Sequence, residues 1–280
     1  MISRRCSQRQ FLLKPSAYVS QVFLYCLAVA AERTGMLIHA VTVMSNHYHL
    51  VATDPQGRLP EFCGWLHEFV AKALNAHYGR WENFWAPEPT SYVRLLGAAD
   101  VLEKTIYTLA NPVAAGLVAR GREWPGIRIF SPGTRRIKRP AGFFRANGPT
   151  PEVATLNIVP PPIDLPANEA YRRICDEVER HEAEIRRQFR EAGRSFLGVA
   201  GVLAQATTDK PTTPEPRREL SPTIACRNKW QRIEALYRCK QFLRRYREAL
   251  RAWTASLTPV LFPPGTYQMA RRYAVPIAPT

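Results

Sequence analysis

Residues 1–130 show two alternating periods of apolar and polar positions. Residues 2–13 ("ISRRCSQRQFLL") read as a first strand. After Pro15 a helical pattern runs from Ala17 to Arg33, with Gly35 placed as a left-handed cap. Met36 to Met44 ("MLIHAVTVM") is apolar and β-branched, and "SNHYHLVA" follows it at Ser45, so both stretches predict strands joined at Ser45-Asn46. From Leu59 to Tyr78 the helical period returns, with Phe62, Leu66, Phe69, Val70, Ala73 and Leu74 on one side and Gly79 at the end. A Trp- and Pro-rich connection ("RWENFWAPEP") leads to a short strand, Ser91 to Leu96, and a third helix begins near Asp100. Strand, helix, strand, strand, helix, strand predicts an α+β fold: an antiparallel sheet with helices on one face in the ferredoxin-like arrangement.

The pattern changes beyond Gly126. Eight prolines and the basic cluster Arg135, Arg136, Lys138 and Arg139 fall between Ser131 and Asn168, and residues 131–167 read as an extended linker or arm. Residues 168–280 read as a basic, mainly helical region. A helix is expected from Glu169 to Ala192, ended by Gly193, then a Pro-rich link (Lys210 to Pro222), then a long helix from about Ile224 to Leu257. Its expected apolar stripe is Trp230, Ile233, Leu236, Tyr237, Leu243, Tyr246, Leu250 and Trp253, with Arg227, Arg232, Arg238, Lys240, Arg244, Arg245, Arg247 and Arg251 opposite. The three segments, 1–130, 131–167 and 168–280, are the expected domain organisation.

Charge narrows the class of partner. The formal net charge is +16 and the pI about 10.0, a field that draws polyanions, nucleic acid first. Residues 1–130 hold 13 basic and 9 acidic side chains, and 131–280 hold 26 and 14, so the excess is mostly C-terminal. The six cysteines include no CxxC pair, which predicts buried thiols in a reducing cytoplasm rather than a zinc ribbon or a disulfide framework. The longest apolar run, Val22 to Ala31, is about half the roughly 20 residues a membrane span needs, and nothing near the N-terminus reads as a secretory signal.

Candidate chemistry sits at His47 and His49. Side chains alternate along a strand, so both imidazoles project to one face with Val51, while Tyr48 and Leu50 project to the other. Two imidazoles about 7 Å apart at the backbone can converge on one metal, although His-x-His in a strand is more often structural. On the third helix, Leu102, Ile106, Leu109 and Val113 form the core stripe, and Tyr107 and Asn111 share the opposite side. Taken alone, that pair is better read as a surface tyrosine beside an asparagine that stops the helix before Pro112.

"VTVMSNHYHLVATDP", followed some fifty residues later by "YTLANPVAAGLV", closely resembles the REP-associated tyrosine transposases, relatives of the single-tyrosine HUH transposases of small insertion sequences. The similarity covers about residues 2–126. It implies that His47, His49 and Asn111 bind a divalent cation, Mg²⁺ or Mn²⁺, and that Tyr107 is the nucleophile. A phenol is mostly protonated near neutral pH and weak as a nucleophile until held in line with an activated phosphorus. Attack would leave a 5′-phosphotyrosine and a free 3′-OH, with no nucleotide cofactor required. Two departures stand out: Tyr48 occupies a position usually held by a smaller aliphatic residue, and "FWAPEPTSYV" replaces a Trp-Gln-Gly-Arg-Tyr-like segment.

The resemblance implies single-stranded or hairpin DNA as substrate and tilts toward a monomer. Arg4, Arg5, Arg9 and Arg94 are the candidate phosphate contacts, each alternatively a solvated charge. Trp81 and Trp85 either stack bases or, the favoured reading, pack in the core. The basic C-terminal helix either tracks a DNA backbone or presents a solvated face. Two rival functions accompany the strand-transferase reading: a domesticated, non-catalytic hairpin-DNA binder, and a metal-dependent hydrolase in which water attacks.

Overall fold

The computed structural model describes residues 1–143, 150–212, 223–255 and 260–279. It divides into two compact units, Met1–Thr223 and Ile224–Thr280. The first contains β1 (Ile2–Arg5), α1 (Ala17–Thr34), β2 (Leu37–Val43), β3 (His47–Thr53), α2 (Leu59–Tyr78), β4 (Ser91–Tyr92), β5 (Arg94–Leu95), α3 (Ala98–Ala114), β6 (Arg128–Ile129), β7 (Gly133–Lys138), β8 (Val153–Ile158), α4 (Ala167–Glu191) and α5 (Gly198–Ala204). The second holds β9 (Ile224–Ala225), α6 (Lys229–Thr254) and α7 (Gln268–Tyr273).

The first unit is α+β with a mainly antiparallel sheet in the order β4-β1-β3-β2-β8-β7, and β6 adds to β2. Among the described residues of this sheet, only the β2–β8 pairing is parallel. Local chemistry explains the helix ends. Ser16 accepts the Val19 amide at the start of α1, and Gly35 and Gly79 close α1 and α2 at φ of 70° and 61°, values that L residues with a Cβ rarely adopt. The two glycine caps match the sequence expectation.

Helices cover both faces of the sheet, not one. On one side α1 and α2 bury Tyr48, Leu50, Val41, Val43 and Ile38 with Phe23, Leu27, Phe62 and Leu66. On the other, Val101 and Leu109 of α3 and Ala170, Ile174 and Val178 of α4 pack with Ala40 and Val51. The buried Glu182 of α4 accepts the Gly121 amide at 3.0 Å and pairs with Arg128 of β6 at 3.3 Å, while Arg128 Nε donates to the Leu109 carbonyl at 2.8 Å. One arginine thus ties the sheet to both helices of that layer.

Several expectations are corrected. The stretch 131–167 is not a linker alone: β7 and β8 pair in register from Gly133↔Ile158 to Lys138↔Val153 and extend the sheet. Ala154, Leu156 and Ile158 are buried at every second position, a strand period that the surrounding prolines mask in the sequence. The compact unit accordingly continues to Thr223 rather than ending at 130. The first strand stops at Arg5, because residues 7–9 turn into a 3₁₀ segment with Gln8 at φ 52°. Ser91–Leu96 is broken at the buried Val93 into β4 and β5. Helix α3 continues through Pro112 to Ala114 instead of stopping before it, with the Ala115 amide bonding Asn111 and the Leu117 amide bonding Pro112. Most of the expected Lys210–Pro222 link and the last two residues of the expected long helix lie outside the described residues.

Candidate functional site

β3 lies between β1 and β2 near the middle of the sheet, and its register fixes what surrounds the histidines. Ser3 and Thr42 stand directly opposite His49, and Arg5 stands opposite His47. Directly paired residues of antiparallel strands share a face, so these five side chains project to the α3 side of the sheet. Tyr48 and Arg4, also paired, project to the α1–α2 side.

The two imidazole rings lie 4.9 Å apart, centroid to centroid, and nearly perpendicular. Helix α3 crosses β2 and β3 on this face and sets the Tyr107 ring edge-on to His49, 5.3 Å between centroids. Tyr107 is 42% exposed, so the phenol stands at the rim while His49 lies beneath it. Asn111, one turn further along the same helix, is buried. The sequence-predicted histidine pair and tyrosine therefore meet.

His49 carries the strongest chemical signal. Both its ring nitrogens are buried without a hydrogen-bond partner, and so is the hydroxyl of Thr42 across the strand. Leaving a buried polar atom unpaired costs about 1–3 kcal/mol, so an imidazole with neither nitrogen satisfied is a group awaiting something. Burial, and secondarily the neighbouring His47, pushes its pKa well below the ordinary value, which keeps the ring neutral and its lone pair available.

His47 is oriented by a neighbour that the sequence reading did not single out. Asn46 Nδ2 donates to the Arg9 carbonyl at 3.1 Å, which turns Oδ1 toward His47 Nδ1 at 2.6 Å. With that oxygen as acceptor, Nδ1 carries the proton and Nε2 keeps the lone pair, the usual way a ligating histidine is set up. Thr42 and Lys104 were missed as well. Lys104 Nζ sits 5.9 Å from the centre of the Tyr107 ring while bonding Glu103 at 2.9 Å, and its i, i+3 spacing to the tyrosine was the available signal. Thr42 depends on strand register, which has no local sequence mark.

Among the described residues no group of three or more His, Cys, Asp or Glu gathers as a metal site. A cation here would have to be held by neutral donors, the two imidazoles and an amide such as Asn111. Two imidazoles, that of His49 with both nitrogens unpartnered, and a buried amide on the facing helix are compatible with a divalent ion that keeps open positions.

The expected phosphate contacts separate. Arg5 is on the histidine face and pairs with Glu88 at 3.3 Å. Arg9 contributes its carbonyl to Asn46, and Arg94 is exposed on β5. Arg4 lies on the other side of the sheet: its Nη1 bonds His67 Nδ1 at 2.7 Å and its guanidinium stacks 5.4 Å over Trp85. His67 Nε2 meets the Tyr48 hydroxyl at 2.6 Å, so the unusual tyrosine between the histidines is a buried core residue whose pKa burial raises well above normal. Trp85 packs in that core as favoured, whereas Trp81 is 97% exposed. Of the cysteines, Cys6, Cys26, Cys63 and Cys226 are buried free thiols and Cys239 is exposed.

A histidine pair, one ring of it edge-on to a rim tyrosine, on an α+β scaffold, is thus the class of site the chain carries. Comparison with family models, with curated proteins and with solved structures finds no match.

Proposed function

We propose that the protein is a metal-dependent DNA strand-transfer enzyme of the REP-associated, single-tyrosine HUH type, cleaving and rejoining single-stranded or hairpin DNA. The observation that carries the proposal is the buried His49 ring, both nitrogens unpartnered, in ring contact with His47 and with Tyr107. Support also comes from the strand order β4-β1-β3-β2, with α1 and α2 as its crossovers, which is the ferredoxin-like order expected of that family.

His47, His49 and Asn111 would hold Mg²⁺ or Mn²⁺, which when bound draws charge from the non-bridging oxygens of a scissile phosphate. The chain's own residues do the rest. Tyr107, half exposed at the rim, presents its oxygen to a strand lying across the histidine face. Its attack on phosphorus forms a 5′-phosphotyrosine as the bond to the 3′-oxygen breaks; the phenol gives up its proton to solvent, and the departing 3′-oxygen takes one up. Arg5, on the same face, contributes positive charge along the strand's path. Rejoining reverses the step with another 3′-OH, so no nucleotide is consumed.

The test is incubation of the protein with a 3′-labelled single-stranded oligonucleotide and Mn²⁺, followed by denaturing electrophoresis; a 5′ label on the same oligonucleotide reports the released fragment. A denaturation-resistant protein–DNA band, absent in Tyr107→Phe and in His49→Ala, is expected. Cleavage that persists in Tyr107→Phe without the band would mean that water attacks, and binding with neither band nor cleavage would mean a non-catalytic hairpin binder.

A further inference from the structure

The second unit presents a surface that the cleavage site does not use. Counting along α6 in steps of three and four gives Trp230, Ile233, Tyr237, Lys240, Arg244, Arg247 and Arg251, which fall within about 100° of the helix circumference over about 32 Å. Every one of the seven is exposed, Trp230 at 76% and Tyr237 at 60%. Of the expected apolar stripe, Trp230, Ile233, Leu236, Tyr237 and Leu243 are thus exposed. The side of α6 that packs is a different one: Tyr246, Ala249, Leu250 and Trp253 close on Phe262, Met269 and Val275 of the same unit.

We propose that this stripe is a second binding site for single-stranded nucleic acid, with Lys240, Arg244, Arg247 and Arg251 on successive phosphates and Trp230 and Tyr237 stacked on unpaired bases. Among the described residues the only acidic group beside the four cations is Glu248, 4.0 Å from Arg244, so most of their charge is uncompensated. Basic side chains continuing in line with exposed rings are what a flexible polyanion with aromatic faces requires. A duplex would engage the cations while leaving the rings idle, because its bases are already stacked.

Two other occupants fit less well. The three-four spacing is that of a coiled-coil seam, but a second copy would bring four cations against four. A membrane-lying helix carries its cations at the border of one apolar face, whereas here Lys240, Arg244, Arg247 and Arg251 stand in line with the exposed rings, and Tyr246, Ala249, Leu250 and Trp253 pack within the unit. The site stands independently of the cleavage reading.

Fluorescence anisotropy of the full-length Tyr107→Phe chain with labelled (dT)₂₀ in EDTA measures this binding without any covalent step. Trp230→Ala with Tyr237→Ala is expected to raise Kd for (dT)₂₀ about tenfold or more while moving Kd for a 20-base-pair duplex less than about twofold. Replacing the four cations by Gln is expected to lower the slope of log K against log salt by about 3. All six positions are exposed, and circular dichroism verifies that the variants stay folded. Unchanged affinity in both variants overturns the proposal, as does equal loss on single strand and duplex. Displacement of (dT)₂₀ by phosphatidylglycerol vesicles, abolished in the same variants, would reassign the stripe to an anionic membrane surface. A failed adduct assay with this binding intact would overturn the cleavage reading alone.

Discussion

His49 and His67 are both buried neutral imidazoles, and they differ in what meets their nitrogens. His67 is satisfied at both, by Arg4 and by the Tyr48 hydroxyl, whereas His49 is satisfied at neither. Replacement therefore has opposite consequences. His49→Leu removes two unpaired polar atoms and fills similar space, so thermal stability measured in EDTA should be unchanged or higher by about 1 kcal/mol, while the covalent band disappears. A loss above about 2 kcal/mol would show that the ring is structural. His67 supports a pH prediction. Burial, then Arg4, lowers its pKa from 6.5 to about 3. The unfolded chain takes up a proton there below about 6.5 while the native chain does not until about 3, so stability is full above that window and falls as pH drops through it. The loss should amount to a few kcal/mol, and melting curves between pH 7 and 4 should show a shallower decline in His67→Gln.

At the scale of elements, the layer that holds Tyr107 depends on one buried ion pair. Glu182 is buried, its pKa is raised by that burial, and it accepts from both Gly121 and Arg128. Glu182→Ala leaves a half-buried guanidinium and a buried amide without their acceptor, and should cost about 3–5 kcal/mol in chemical denaturation. A change below about 1 kcal/mol would mean that α4 docks through Ile174, Val178 and Ile185 alone. This clamp joins residues 54 positions apart, and no local pattern announces it. What the sequence did disclose was local: the caps at Gly35 and Gly79, the β2 and β3 strands, the alternation that sends His47 and His49 to one face and Tyr48 to the other. What stayed hidden was set by pairing at a distance. The strand β8 was obscured by the prolines around it, the second helical layer by the absence of any one-sided signal on the sheet, and Thr42 by register. Arg4 looked like a phosphate contact because sequence shows a charge and not the face it occupies.

At the scale of the molecule, the proposed chemistry and the α6 stripe belong to different units, and their contributions to a reaction separate kinetically. A cation on the stripe touches the strand before and after bond breaking in the same way, so its binding energy is uniform between ground and transition states. Holding a strand at a second site raises its effective concentration at the first without altering the step on phosphorus. Changing Arg244, Arg247 and Arg251 to Gln should therefore raise the oligonucleotide concentration for half-maximal adduct formation about tenfold or more at moderate salt, and leave the rate at saturation within about twofold. His47→Ala, which removes a donor at the proposed metal site, should lower the saturated rate instead. Single-turnover adduct formation with Mn²⁺, followed over a range of oligonucleotide concentrations, measures both quantities on one preparation. A fall in the saturated rate of the arginine variant would show that the stripe orients the scissile phosphate rather than merely retaining the strand, and the division of labour between the two units would have to be abandoned.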